Sequence, residues 1–149
     1  MKSPTSTFSP GYPGRARFAE ILDLYQRELG DDDPRTANAH ENLGVVLGSL
    51  GDHKAAETHL LAALGIRETA LGPRHPYVAT TLVNLGSTLA EHGALARAQP
   101  YFERALKLRR SLYPPENRSV VDVLFNLALL EGLQRHHAAA LAKLEQVAA

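Results

Sequence analysis

Asn84-Leu85-Gly86 decides how this chain is read, because the triplet has a copy on each side at one interval. Asn42-Leu43-Gly44 lies 42 residues before it and Asn126-Leu127-Ala128 lies 42 residues after it. Other positions keep the spacing: Leu29-Gly30 returns as Leu71-Gly72, Pro34 as Pro76, Leu47 as Leu89, Gly51 as Gly93, Ala56 as Ala98 and Ala140, and Leu60 as Phe102 and Leu144. A fixed period of this size marks a tandem array in which each unit is one supersecondary element that buries its apolar face by stacking on its neighbours. Function is therefore expected on a repeated surface rather than in a unique catalytic pocket.

Apolar periodicity and turn residues divide the array into helices. Phe18, Ile21, Leu22, Leu24 and Tyr25 are expected along one side of a helix that ends at Gly30, the place of a left-handed cap. Asp31, Asp32 and Asp33 before Pro34 are a helix-start signature, since carboxylates favour the amide end of a helix and proline needs no donor there. The helix over 34–50 should bury Ala39, Leu43, Val46, Leu47 and Leu50, and Gly51-Asp52 breaks it. A helix over 53–70 then buries Ala56, Leu60, Ala63 and Leu64. The short connection makes the two an antiparallel hairpin. The same grammar gives helices over 77–91 and 95–112, then over 118–132 and 136–148. Pro100 falls early in its helix, where a missing amide costs less than at mid-helix, and a local kink is expected there. The expected organisation is a flexible leader over 1–14, a half repeat over 15–30 and repeats over 34–70, 76–112 and 118–148, about seven helices in all.

Composition agrees with an all-α class. Leu and Ala dominate, aromatics are only 6%, and a hydrophobic content of 44% in 149 residues suits one domain with a buried core. Lys plus Arg and Asp plus Glu number 16 each, so no net field draws the chain to nucleic acid or to an anionic membrane. The absence of cysteine excludes disulfides, thiolate metal sites and a cysteine nucleophile. The leader has no apolar run of secretory-signal type, and no window is long and apolar enough to span a membrane, so a cytoplasmic protein is expected.

Two helices packed about 8 to 10 Å apart need small residues where they cross. Gly44, Gly86 and Ala128 on the first helix of each pair, with Ala56, Ala98 and Ala140 on the second, supply that approach. Glycine inside a helix costs about 1 kcal/mol relative to alanine, so its recurrence at one register needs a packing reason. A small residue after Leu on the first helix, then Ala, a large apolar residue and Ala on the second, resembles the tetratricopeptide repeat. The period, with Leu71-Gly72-Pro73-Arg74-His75-Pro76, Asn-Leu-Gly and Ala105-Leu106-Lys107-Leu108-Arg109, is similar to the longer-period subclass found in kinesin light chains and in many bacterial repeat proteins. The resemblance covers about Phe18 to Val147 and implies an α-solenoid of antiparallel helix pairs in a right-handed superhelix. Three positions depart from it: Arg118 stands in place of Pro, Glu131 in place of an apolar residue and Arg135 in place of Gly.

In such a stack the first helices line the concave side. Asn42, Asn84 and Asn126 each sit one residue, about 100° of helix, from a buried Leu, which turns them toward the groove. An amide side chain both donates and accepts, so a row of them can hold the backbone of an extended peptide, and the resemblance implies that role. The bland reading is that each Asn bonds the next helix and fixes repeat geometry. Asn38, Glu41, Val45, Thr80, Val83, Ser87, Asp122, Phe125 and Leu129 are expected to share the groove, with Val83, Phe125 and Leu129 forming an apolar pocket; core packing is the alternative for Phe125. No Lys or Arg flanks the row, so a two-carboxylate clamp is not supported.

Other chemistry finds little footing. His136-His137 point about 100° apart, His75 belongs to a loop motif, and His53, His59 and His92 are expected near turns or on exposed faces, so no metal site and no cofactor are expected. Lys107, Arg109 and Arg110 read as a solvated helix end. No phosphate loop or nucleophile elbow occurs. The expected function is a non-catalytic scaffold binding a peptide or partner protein, with no nucleic acid or membrane partner. The final helix carries Ala140, Leu141, Leu144 and Val147 with nothing polar sealing its far side. A homo-oligomerisation module acting through that helix, or an accessory domain of a larger regulator, are the alternatives.

Overall fold

A computed structural model describes residues 13–134 and 137–148. The described residues form helices and no strand: α1 (Pro13–Leu29), α2 (Pro34–Ser49), α3 (His53–Leu71), α4 (Pro76–Glu91), α5 (Leu95–Leu112), α6 (Arg118–Leu133) and α7 (His137–Ala148). This is the all-α repeat fold expected from the period. The chain divides between Leu71 and Gly72 into two compact units. In the first, α1 packs on α2 and α2 on α3; in the second, α4 packs on α5, α5 on α6 and α6 on α7.

Each pair begins with the same device. Asp33, His75 and Asn117 are N-caps one period apart, and each side chain accepts a bond from the amide two residues on: Asp33 Oδ1 from Arg35 N at 2.8 Å, His75 Nδ1 from Tyr77 N at 3.0 Å, and Asn117 Oδ1 from Ser119 N at 2.8 Å. Three chemistries serve because the orphan amide needs only an acceptor. The third pair therefore starts in register although Arg118 replaces proline. Gly51 and Gly93 turn the hairpins at φ +89° and +84°, a region that an L side chain adopts only with strain. Helix α5 runs without interruption through Pro100, which is exposed.

The crossings explain the recurrent small residues. A Cβ on Gly44 would lie 2.9 Å from Leu60 Cγ and 3.2 Å from the Ala56 carbonyl oxygen; on Gly86 it would meet the Phe102 ring at 2.8 Å. Ala56 and Ala98 are fully buried, and Ala128 is 4% exposed at the third position. The side chain of Ala140 lies outside the described residues, as does Arg135. Around the crossings, Leu43, Leu47, Leu60 and Leu64 fill the first unit, and Val78, Leu82, Leu85, Leu89, Phe102, Val120, Val123, Leu124 and Leu127 fill the second.

Some expectations about burial fail for physical reasons. Ile21 and Leu24 are exposed. Only Leu22 of α1 is buried, with Phe18 and Tyr25 packed against the core, because α1 packs on one neighbour and buries a stripe one residue wide. Glu131 is buried at 4% exposure, yet its Oε1 meets Lys143 Nζ at 3.0 Å, so a charge stands where the pattern wants an apolar residue because α7 supplies the partner. His59, expected near a turn or on an exposed face, instead lies within α3 with its Nδ1 3.0 Å from Nδ1 of the buried His40. One ring must donate and the other accept.

Two outcomes test this packing. Gly86→Leu should cost about 3 kcal/mol or more in urea unfolding, since a side chain is forced against the Phe102 ring, and Phe102→Ala in the same chain should recover part of it. An unchanged unfolding midpoint for the single variant refutes the crossing. The histidine pair predicts a pH dependence. Burial lowers the pKa of both rings, with His59 adding to the effect at His40 while Asp31 opposes it there and Asp52 opposes it at His59. The unfolded chain then takes up protons that the folded chain refuses, so the contribution is complete above about pH 6.5 and is lost as pH falls below it. A variant with glutamine at both positions should lose less stability than the parent between about pH 7.5 and about pH 5. Equal losses overturn the assignment.

Candidate functional site

The predicted surface residues divide between the two units. In the first unit, Asn38, Glu41, Asn42 and Val45 lie on α2. Asn42 is exposed and Val45 is 44% exposed. Asn38 and Glu41 are committed to the protein itself: Arg67 of α3, only 4% exposed, donates through Nη2 to Asn38 Oδ1 at 2.7 Å and pairs through Nη1 with Glu41 Oε2 at 2.8 Å. A guanidinium presents a planar fork of donors, so one arginine ties two turns of α2 to α3. The acceptor expected to face a ligand at Asn38 thus serves the α2 to α3 contact.

In the second unit, Thr80, Val83, Asn84 and Ser87 lie on α4, and Asp122, Phe125, Asn126 and Leu129 lie on α6. The structure brings Ser87, Asn126 and Leu129 together with Ala90 and Leu133 around a cleft of about 140 Å3 between α4 and α6, floored by Phe102 and Leu130. Thr80, Val83, Asn84, Asp122 and Phe125 do not line it. Thr80 Oγ1 donates back to the Pro76 carbonyl at 3.4 Å, and Asp122 pairs with Arg118 at 3.8 Å on the helix surface. Asn84 is half-buried and already engaged within the protein.

Phe125 settles against the core alternative: it is 49% exposed, with Leu129 at 52% and Leu133 at 66%. These three residues are spaced by four along α6, so they form one continuous apolar stripe beside the cleft. Leu133 was not anticipated, although its spacing from Leu129 carries the signal. The Arg67 clamp was also missed; its trace in the sequence is the return of arginine one period later as Arg109. There the partners at Asn38 and Glu41 have become Thr80 and Val83, and Arg109 Nη1 donates instead to the Ser119 carbonyl at 2.8 Å. Burial lowers the pKa of Arg109, opposed by Asp122 and Tyr113. Arg110 reaches Gln146. Lys107, Arg109 and Arg110 are therefore not one solvated group. Among the described residues no cluster of three or more His, Cys, Asp or Glu is placed to hold a metal ion, and no helix is long and apolar enough to cross a membrane.

A family profile described as tetratricopeptide repeat matches residues 14–69, 42–111 and 77–149. No curated protein matches in sequence. Among solved structures the chain is similar to BtubC (BKLC) from P. vanneervenii, with a TM-score of 0.83 and 22% identity over 89% of this chain and 53% of that one. It is also similar to a Podosopora anserina structure of nearly identical TPR-like repeats, with a TM-score of 0.75 and 17% identity over 89% of this chain and 63% of that one. A third is pilF of Pseudomonas aeruginosa, with a TM-score of 0.58 and 22% identity over 90% of this chain and 58% of that one. At these identities the likeness shows the fold, and the chain spans between 53% and 63% of the length of these proteins. Tetratricopeptide repeats generally mediate protein–protein interaction, and scaffolds built from them are generally non-catalytic. With its profile matched from residue 14 to residue 149 and its helix pairs recurring in one register, the chain belongs to the tetratricopeptide-repeat family.

Proposed function

We propose that this chain is a non-catalytic interaction module that holds an extended peptide, or an extended segment of a partner protein, on the first helices of its repeats. The observation that carries the reading is the exposed stripe Phe125, Leu129 and Leu133 beside the cleft that Ser87 and Asn126 border. An exposed apolar stripe rimmed by polar residues is the usual mark of a recognition surface. Covering it contributes roughly 25 cal/mol for each Å2 of apolar area removed from water. The amide of Asn126 supplies both a donor and an acceptor for a ligand backbone, which favours a partner in extended form. Asn42 and Val45 offer a smaller surface of the same kind on α2. A cytoplasmic setting belongs to the same proposal and is supported by a composition without cysteine.

A second reading is favoured by a different observation. On α7, Leu141 is 61% exposed and Leu144 is 43% exposed, so self-association through this helix would cover apolar area. Light scattering over a range of protein concentration decides it: a mass that stays monomeric throughout removes the reading.

For the favoured reading, peptides selected from a displayed library against the intact chain should compete for one surface. Leu129→Asp should weaken them about tenfold or more, and Asn126→Ala by a smaller factor, with helical circular dichroism unchanged in both. Selected peptides that bind Leu129→Asp as tightly as the parent would show that the stripe is not the site.

A further inference from the structure

The loop before α4 and the C-terminal half of α5 enclose a second cleft, of about 320 Å3, lined by Pro73, Arg74, Arg104, Lys107, Leu108 and Ser111. We propose that this cleft binds an acidic peptide segment of a partner protein, at a place separate from the apolar stripe on α6.

Three cationic side chains line one small concavity, and none of its lining residues is a carboxylate. Arg104, Lys107 and Ser111 follow one another at spacings of three and four on α5, so they share a face, and Arg74 is contributed by the loop. Like charges three residues apart on a helix repel, so this arrangement works against folding and needs another reason.

The first unit shows that the fold does not demand it. One period earlier in the sequence, Asp31, Asp32, Ala62, Gly65, Ile66 and Thr69 take the places of those six residues, and they too line a cleft, of about 460 Å3. The apolar floor and the hydroxyl are kept, as Ile66 for Leu108 and Thr69 for Ser111. The charge is inverted: Asp32 stands for Arg74, Asp31 for Pro73, and neutral Ala62 and Gly65 for Arg104 and Lys107. The same backbone pocket thus tolerates either sign, and the cations are explained by what the cleft receives rather than by what holds it together.

The lining favours carboxylates on a peptide over a lone anion. Guanidinium forks suit carboxylates in two-point contact, and the Lys107 ammonium adds a point charge beside them. Arg104 is already engaged within the protein, but with five donors its guanidinium has capacity for a further acceptor. Pro73 and Leu108 give the methylenes of glutamate an apolar bed. Several charges spread along the cleft are matched by several carboxylates along a chain. The chain's formal net charge of zero makes this a local attraction, not a general affinity for polyanions.

Fluorescence anisotropy with a labelled hexaglutamate peptide tests the assignment on the intact chain at low salt. The parent should bind it, and binding should weaken as salt rises. Arg74→Glu with Lys107→Glu should weaken it about tenfold or more, Lys107→Arg should retain it, and Leu129→Asp on the other surface should leave it unchanged. Amide shifts on adding the peptide should gather at Arg74 and over 104–111, a readout that needs no variant to fold. No binding by the parent, equal binding by the charge-reversed chain, shifts gathered elsewhere, or displacement of the peptide by inorganic phosphate at equal concentration would each overturn the proposal.

Discussion

The contact on which this structure depends is the close crossing inside each helix pair, where the Cα of Gly44 or Gly86 faces Leu60 or Phe102 without room for a methyl group. Packing at that distance lets the large side chains on either flank interlock, and burying a leucine is worth about 1.5 to 3 kcal/mol. A glycine inside a helix weakens that helix, so the gain must be tertiary. Alanine takes the place of glycine at position 128, at the same register, and is 4% exposed.

Around that fixed interior the repeats vary their polar chemistry while keeping its geometry. The N-cap is a carboxylate, an imidazole or an amide, and each satisfies the same orphan donor. The recurrent arginine clamps α2 at position 67 and reaches the Ser119 carbonyl at position 109, because the carboxylate and amide available to the first are replaced by Val83 and Thr80 near the second. The loop clefts keep floor and hydroxyl but exchange acid for base. A repeat array can change its surface in this way without touching its core, since the side chains that bind and those that pack lie on different faces of one helix.

The apolar stripe on α6 illustrates the separation. Phe125, Leu129 and Leu133 occupy one side of the helix, while Val120, Val123, Leu124 and Leu127 on the other side are buried. Glu131 is the exception, a charge on the packed side that persists because Lys143 meets it.

The sequence by itself determined the period, the helices and their ends, and the small residues at the crossings, because all of these follow from local periodicity and from backbone rules that act within a few residues. It also named Asn126, Ser87 and Leu129, which share a cleft. What it left open depended on neighbours distant along the chain. Whether Phe125 was core or surface, that His59 faces His40, that Arg67 takes up Asn38, and that Lys107 joins Arg74 rather than Arg109 and Arg110 were decided by the tertiary structure alone. Periodicity gives the direction of a side chain around its own helix, whereas its burial and partners depend on which second helix comes to lie against it.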